Sequence, residues 1–339
     1  MSKRLEDVFD VVATPVSDDP ERPIYAVIPV PGYESYFVGK DRDGCACVLV
    51  GTGDSPGRAS ASIRLENLDV QFELRCHLRQ YGENERIGTF TVIRCRSLDK
   101  ETAPYFLSVC DTIIAMLGDH PKQREIASAV HRLAAIFQKL HKPPTRPVIG
   151  LFGELYLISR SACPSRAIEA WRIDETARFD FAFENARMDV KTASGRLRAH
   201  TFAYEQCTPP AGTTAIVASL FAERSPGGIP LRLLIGDIEI SISAYPDLVL
   251  KLHEVVAATL GARLNEGLAM TFDTKLADAS LQFYDLRTIP ALRDPLPGGV
   301  SDVHFRSDLS GLQGVAVSSL IKEEPVFSDL LPKGRFSQA

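Results

Sequence analysis

Arg178-Phe179-Asp180-Phe181-Ala182-Phe183-Glu184-Asn185-Ala186-Arg187-Met188-Asp189-Val190-Lys191-Thr192 reads as two short strands joined by a turn at Glu184-Asn185. In the first strand Phe179, Phe181 and Phe183 alternate with Asp180 and Ala182; in the second Met188 and Val190 alternate with Asp189 and Lys191. Period-two alternation sends residues i and i+2 to one face. Asp189 and Lys191 therefore share a face, and Asp180 is a lone acid on an aromatic strand. If the strands pair, two carboxylates and an ammonium meet above one sheet. That donor set suits a hard divalent cation and an attacking water.

Upstream, Val148–Arg160 has a helical stripe of Leu151, Leu155 and Ile158. Glu154 sits near its centre, either as an exposed residue on the outer face or as a ligand aimed at a site. A short helical piece at 169–172 carries the single tryptophan, Trp171. Downstream come a basic turn, Ser194 to His200, and a short element, 202–207, containing Glu205-Gln206. Thr214–Phe221 is a nearly continuous apolar run, the pattern of a central buried strand. Residues 231–234 and 238–242 resemble strands or connections. Asp247–Leu260 reads as a helix stopped by Gly261, and 281–289 and 303–306 as late strands.

The first part of the chain has a different texture. Residues 1–24 form an arm or a peripheral helix and include Asp18-Asp19-Pro20. From Tyr25 to Arg96 the pattern is strand and turn, with a loop at Thr52–Gly57 and a turn at Tyr81–Asn84. Val70, Phe72, Leu74, Cys76 and Leu78 alternate with polar neighbours, which predicts an antiparallel sheet with one wet face and His77 on that face. Two helices follow, Pro104–Leu117 stopped by Gly118, and a second capped by Asp119 that runs to about Leu140. Lys142-Pro-Pro-Thr-Arg-Pro147 breaks that helix and marks a domain boundary. The organisation expected is a β-rich domain with two helices at 1–142, a second domain at 147–322, and a mobile tail at 323–339.

The 339 residues carry a net charge of −5, but residues 121–200 hold 14 Lys/Arg against 8 Asp/Glu. That segment is either a local basic field for a polyanion or a surface of solvated arginines. No long apolar run or signal-peptide pattern is present, and the seven cysteines form no CxxC pair. These features point to a cytoplasmic protein with no membrane partner. No Gly-rich phosphate loop, GxSxG elbow or HExxH pair occurs, which argues against ATP hydrolysis, serine hydrolysis and zinc proteolysis. A methyltransferase's Gly-rich turn is also lacking.

The triplet Asp-x-Lys occurs twice, as Asp189-Val-Lys191 and Asp273-Thr-Lys275. Only the first follows a strand acid, a tight turn and a helix bearing a central glutamate; the second reads as surface. The order helix-Glu, strand-Asp, turn, strand-Asp-x-Lys resembles the PD-(D/E)XK nuclease superfamily. Gly150-Leu-Phe-Gly-Glu154-Leu, Phe179-Asp180-Phe181 and Asp189-Val-Lys191-Thr192 look most like the bacterial "PD-(D/E)XK motif protein" family, which tends to be encoded beside methyltransferases, helicase-like proteins and ATPases in defence loci. Phe179 stands where the motif's name has proline, and Asp189 where Glu is commoner.

The resemblance implies an α/β (α+β overall) fold: a restriction-endonuclease-like core with a central mixed sheet flanked by helices, after the antiparallel β-rich domain. It implies a Mg²⁺-dependent endodeoxyribonuclease of restriction-modification or anti-phage defence, with Mn²⁺ able to substitute. Asp180, Asp189, the Val190 carbonyl and Glu154 would hold metal. Lys191 would act on the attacking water, and Gln206 would be auxiliary. Arg187, Arg196, Arg198 and His200 either contact DNA phosphates or are solvated turn residues. Expected partners are DNA, a methyltransferase, helicase or ATPase, and a second copy in a homodimer. The competing readings are a catalytically silent scaffold or DNA clamp, and an α/β protein with coincidental motifs.

Overall fold

Strand-patterned segments between residues 24 and 95 form one sheet that closes on itself. The computed structural model describes residues 4–16, 23–51, 60–80, 85–172 and 178–333. The expected Thr52–Gly57 loop, the Tyr81–Asn84 turn and Asp18-Asp19-Pro20 lie outside the described residues. The chain divides into two compact units, 1–144 with 260–265, and 145–259 with 266–339.

The first unit opens with α1 (Leu5–Phe9), followed by β1 (Ile24–Pro29), β2 (Tyr36–Asp41) and β3 (Ala46–Gly51). Then come β4 (Ile63–Arg64), β5 (Leu68–Arg79), β6 (Arg86–Cys95), α2 (Thr102–Leu117) and α3 (Gln123–Lys139). The strand order is β1-β2-β3-β6-β5-β4, and β1 also pairs parallel with β5. That pairing gives the outer edge of β1 backbone partners. Tyr25, Phe37, Leu49, Leu78 and Phe90 fill the interior. Cys110 and Ile114 of α2 and Ile126 of α3 line a small cavity with Tyr36, Val48 and Ile93 on the barrel's outer face.

The expected single alternation across β5 is interrupted. Its register on β6 shifts between Gln71↔Val92 and Leu74↔Phe90, and Glu73 takes the left-handed φ of 52°. One extra residue reverses the facing of everything after it. Val70 therefore pairs with Ile93 on the outer face, while Leu74, Cys76 and Leu78 join Phe90 inside. The sheet has no single wet face; His77 does point outward, beside Glu85. Asp119 also departs from expectation. It does not cap α3, which begins after Lys122; its Oδ1 accepts the Glu34 and Ser35 N–H groups at 3.1 and 3.3 Å.

The second unit contains α4 (Val148–Arg160), α5 (Pro164–Ala170), β7 (Phe181–Phe183), β8 (Ala186–Ala193), β9 (Ala199–Ala203) and β10 (Thr214–Phe221). After these come β11 (Arg224–Pro230), α6 (Leu231–Ser241), α7 (Pro246–Leu260), α8 (Leu264–Ala269), whose first two residues belong to the first unit, β12 (Thr271–Phe272) and α9 (Thr274–Ser280). The last elements are β13 (Gln282–Asp285), β14 (His304–Asp308), α10 (Val317–Glu323) and α11 (Phe327–Leu330). The central sheet runs β13-β10-β8-β7. β8 and β10 are parallel from Ala186↔Thr214 to Ala193↔Phe221, and the other two pairings are antiparallel. The sheet is therefore mixed.

A parallel pair needs a crossover, and β9 with the turn Tyr204–Gln206 supplies it. β9 leaves the sheet to pair with β14. Together they help cover one face, over Val217 and Tyr284, through Phe202 and Leu309. α4 packs on the other face. A Cβ at Gly153 would collide with Thr192 Cγ2 and stand 3.3 Å from Val190 Cγ1, so glycine is what lets the helix approach β8.

Three local readings are corrected. The aromatic strand is shorter than expected, since β7 starts only at Phe181. Residues 231–242 are not strands: Leu231, Leu234, Ile235 and Ile238 form the buried i, i+3, i+4, i+7 stripe of α6. The stretch from 323 is packed as far as Pro332: Phe327, Leu330 and Leu331 are buried and Ser161 bridges Pro332. Asp273 caps α9, its carboxylate accepting the Lys275 and Leu276 N–H groups.

Candidate functional site

The hairpin of β7 and β8 turns through Glu184-Asn185, with Glu184 at φ 48°. β7 is only three residues long, so β8 outlasts it. Just before β7 begins, the Asp180 side chain extends the ladder: Oδ2 accepts the Val190 N–H at 2.8 Å. The Asp180 carbonyl accepts from Arg172 N at 2.8 Å, which ties this end of the strand to the segment after α5. A strand residue's N–H and C=O project to the same edge, so the Val190 carbonyl lies on the Asp180 edge as well.

Asp189 and Lys191 project from one face of β8. The Lys191 ammonium is 2.7 Å from Asp189 Oδ2 and lies over the Phe202 ring. Gln206 joins both: Nε2 donates to Asp189 Oδ1 at 3.0 Å and to the Arg178 carbonyl at 2.9 Å, while Oε1 accepts from Lys191 Nζ at 3.4 Å. Asp180 adjoins Asp189 closely enough to raise its pKa. Asp189 Oδ2 is buried and has no hydrogen-bond partner in good geometry. A buried carboxylate oxygen in that state is costly unless a cation faces it.

Glu154 is buried rather than exposed, and it lies beside Asp180. Its two oxygens are occupied. Trp171 Nε1 donates to Oε2 and Arg172 to Oε1, each at 2.6 Å. Arg146 reaches the same place, 3.0 Å from Asp180 Oδ1 and 3.9 Å from Glu154 Oε1. The three carboxylates do not bring one ligand atom each within 4.8 Å of one another; among the described residues that happens only at the exposed Glu34, Asp119 and His120 of the first unit. Glu154 thus anchors Trp171 and Arg172.

Burial pushes Glu154 up to about 7, reinforced by Asp180 and opposed by Arg172 and Trp171. Burial likewise raises Asp189 to about 7, with Lys191 opposing and Asp180 adding to the rise. Two buried acids that resist ionisation next to a third carboxylate form a site with appetite for positive charge. Asp180, Asp189 and the Val190 carbonyl are all-oxygen donors of the kind Mg²⁺ and Mn²⁺ take, with waters completing the shell. The residues present fit a divalent cation.

Two of the expected DNA contacts are corrected. Arg198 is buried and donates to the Ser219 hydroxyl and carbonyl and to the Ser280 carbonyl. His200 is buried against Ser219 Oγ, and burial lowers its pKa to about 4, with Lys191 next in effect. Neither side chain is open to solvent. Arg196 is exposed. Arg187 is half-buried on the Asp189 face of β8 and donates to the Glu184 and Ala186 carbonyls. Sequence reasoning missed Arg146, Arg172 and the hydrogen bond from Trp171. The one available signal was the adjacency of the lone tryptophan to an arginine just before the acidic strand.

Among the described residues no helix is long and apolar enough to cross a membrane. No curated protein and no solved structure matches the chain. A family model described as "Putative PD-(D/E)XK family member, (DUF4420)" matches residues 21–310. With most of its length matched and an Asp-hairpin-Asp-x-Lys arrangement at the sheet edge, the chain belongs to this PD-(D/E)XK-type family.

Proposed function

We propose that the second unit is a restriction-endonuclease-like core and that the protein is a Mg²⁺-dependent DNA endonuclease, the cutting component of a restriction or anti-phage system. The observation that carries this reading is the convergence of Asp180, Asp189 and Lys191 where β7 begins, with Asp189 Oδ2 buried and facing Lys191. Asp180, Asp189 and the Val190 carbonyl would hold the cation, with Mn²⁺ an effective substitute. A bound divalent cation supplies charge stabilisation at the phosphoryl oxygen and a more acidic water.

The chain's own residues do the rest. Lys191 Nζ stands at the rim of the carboxylate pair, placed to orient the attacking water and to stabilise charge building on phosphorus. Gln206 fixes both Asp189 and Lys191, so their spacing is set before substrate arrives. Glu154 holds Arg172, whose backbone N–H holds the Asp180 carbonyl. Arg187 lies two residues before Asp189 on the same face of β8, about 7 Å along the strand, within range of a neighbouring phosphate. Arg196, on the exposed turn, extends that basic track.

The test is a plasmid assay with purified protein, alone and with neighbour-encoded proteins, in Mg²⁺ or Mn²⁺. Nicking or cutting is expected in the wild type, with a loss of at least about 10³-fold in Lys191→Ala and Asp189→Ala. Cleavage that persists in either variant overturns the assignment. A silent nuclease-fold scaffold, docking a methyltransferase or ATPase, is favoured by one observation: each site carboxylate already faces a protein cation. No cleavage under any metal, with DNA binding intact, would select it.

A further inference from the structure

The three carboxylates are matched by three cations of unequal tenure. Asp189 faces Lys191 at 2.7 Å, Glu154 faces Arg172 at 2.6 Å, and Asp180 faces Arg146 at 3.0 Å. Arg172 is 13% exposed and also donates to Thr259 Oγ1, and Lys191 is 18% exposed and held by Gln206. Arg146 is 44% exposed, and among the described residues its side chain pairs with Asp180 and, at 3.9 Å, with Glu154. Its backbone is fixed on both sides. Thr145 donates through N to the Thr259 carbonyl and through Oγ1 to the Ala258 carbonyl, and Pro147 is the N-cap of α4. Only the side chain is free to swing.

We infer that Arg146 is the exchangeable counter-cation of the site: it neutralises Asp180 and Glu154 in the cation-free protein, and moves onto a substrate phosphate when a divalent cation is bound at Asp180 and Asp189. The inference rests on the metal-dependent reading above. Asp180 Oδ1 cannot serve a guanidinium and a dication at close range together, because the two positive charges repel. Of the three protein cations, Arg146 is the one with solvent to move into. Its planar fork of donors matches a phosphate as well as a carboxylate. Departure of Arg146 would couple cation loading to phosphate capture, two events with one coupling free energy.

The experiment is Mn²⁺ titration by calorimetry of wild type, Arg146→Gln and Asp189→Asn, without DNA. Loss of the competing guanidinium should tighten Mn²⁺ binding about 5-fold in Arg146→Gln, the scale of one partly exposed ion pair. A second readout uses a fluorescent DNA duplex and a Lys191→Ala background, which leaves the duplex intact, with and without Arg146→Gln. With Mn²⁺ present, Arg146→Gln should weaken binding and reduce the slope of log affinity against log salt by about one; in EDTA the slopes should agree. An ordinary structural ion pair would not give the metal-dependent change in salt slope. Equal or weaker Mn²⁺ binding in Arg146→Gln, with binding abolished in Asp189→Asn, overturns the inference and leaves the metal site standing. No Mn²⁺ binding to wild type or Arg146→Gln, with both folded by thermal melting, overturns the metal site and the inference with it.

Discussion

Asp189-Val-Lys191 and Asp273-Thr-Lys275 share a spelling and nothing else. The first lies on β8, in a strand paired on both sides, where spacing i and i+2 puts acid and amine on one face 2.7 Å apart. The second begins a helix, where the aspartate turns back to accept two backbone N–H groups, one of them from Lys275 itself. The difference is made by neighbours. β8 has β10 beside it, an edge strand that begins one residue after Asp180, and a glycine in α4 that admits the helix. Residues 273–275 have none of these, so the carboxylate serves backbone instead of chemistry.

That contrast can be broken most directly by metal binding. Asp189→Asn is expected to weaken Mn²⁺ binding by about 100-fold or more in calorimetry, while Asp273→Asn leaves it unchanged. Equal effects would mean that the two triplets do not differ in the way described.

The next effect is on stability against pH. Glu154 and Asp189 are each raised to about 7 in the folded protein, against ordinary values of 4.5 and 3.8. Between about pH 4 and 7 the folded state therefore holds more protons than the unfolded state. Through these two groups stability falls as pH rises through that window in EDTA. Thermal melts from pH 4.5 to 7.5 should show the decline, and Mn²⁺ or Asp189→Asn should flatten it. A melt that rises with pH would contradict the burial of these acids. Smallest is the cap: Asp273→Ala should cost about 1 kcal/mol, and Lys275→Ala less than about 0.5 kcal/mol, in chemical denaturation.

Much of the second unit's frame was legible because its signals are local and strong. Prolines before Val148 fix the start of α4, and period-two alternation gives β8 and the unbroken apolar run gives β10. α6 was obscured because β-branched isoleucines at 235, 238, 240 and 242 look like strand when read a few residues at a time. Only the longer stripe reveals the helix. β5 misled for a different reason: the bulge at Glu73 carries no glycine or proline to announce it. At the site, Asp180, Asp189, Lys191 and Gln206 could be ordered along a motif, but Arg146 and Arg172 enter from outside it. Arg198 and His200 were misplaced because basic residues after a turn are usually wet; here the Ser219 hydroxyl on β10 draws both inward.

The division of labour within Asp180 has a practical consequence. One oxygen finishes the sheet by receiving the Val190 N–H, and the other meets the site's cation. A substitution that deletes the group removes a structural stop and a chemical donor at once, and its phenotype cannot be assigned to either. The amide isostere keeps an acceptor for the main chain while discarding the negative charge. Any replacement at position 180 faces the same constraint: it must supply another acceptor for the Val190 N–H.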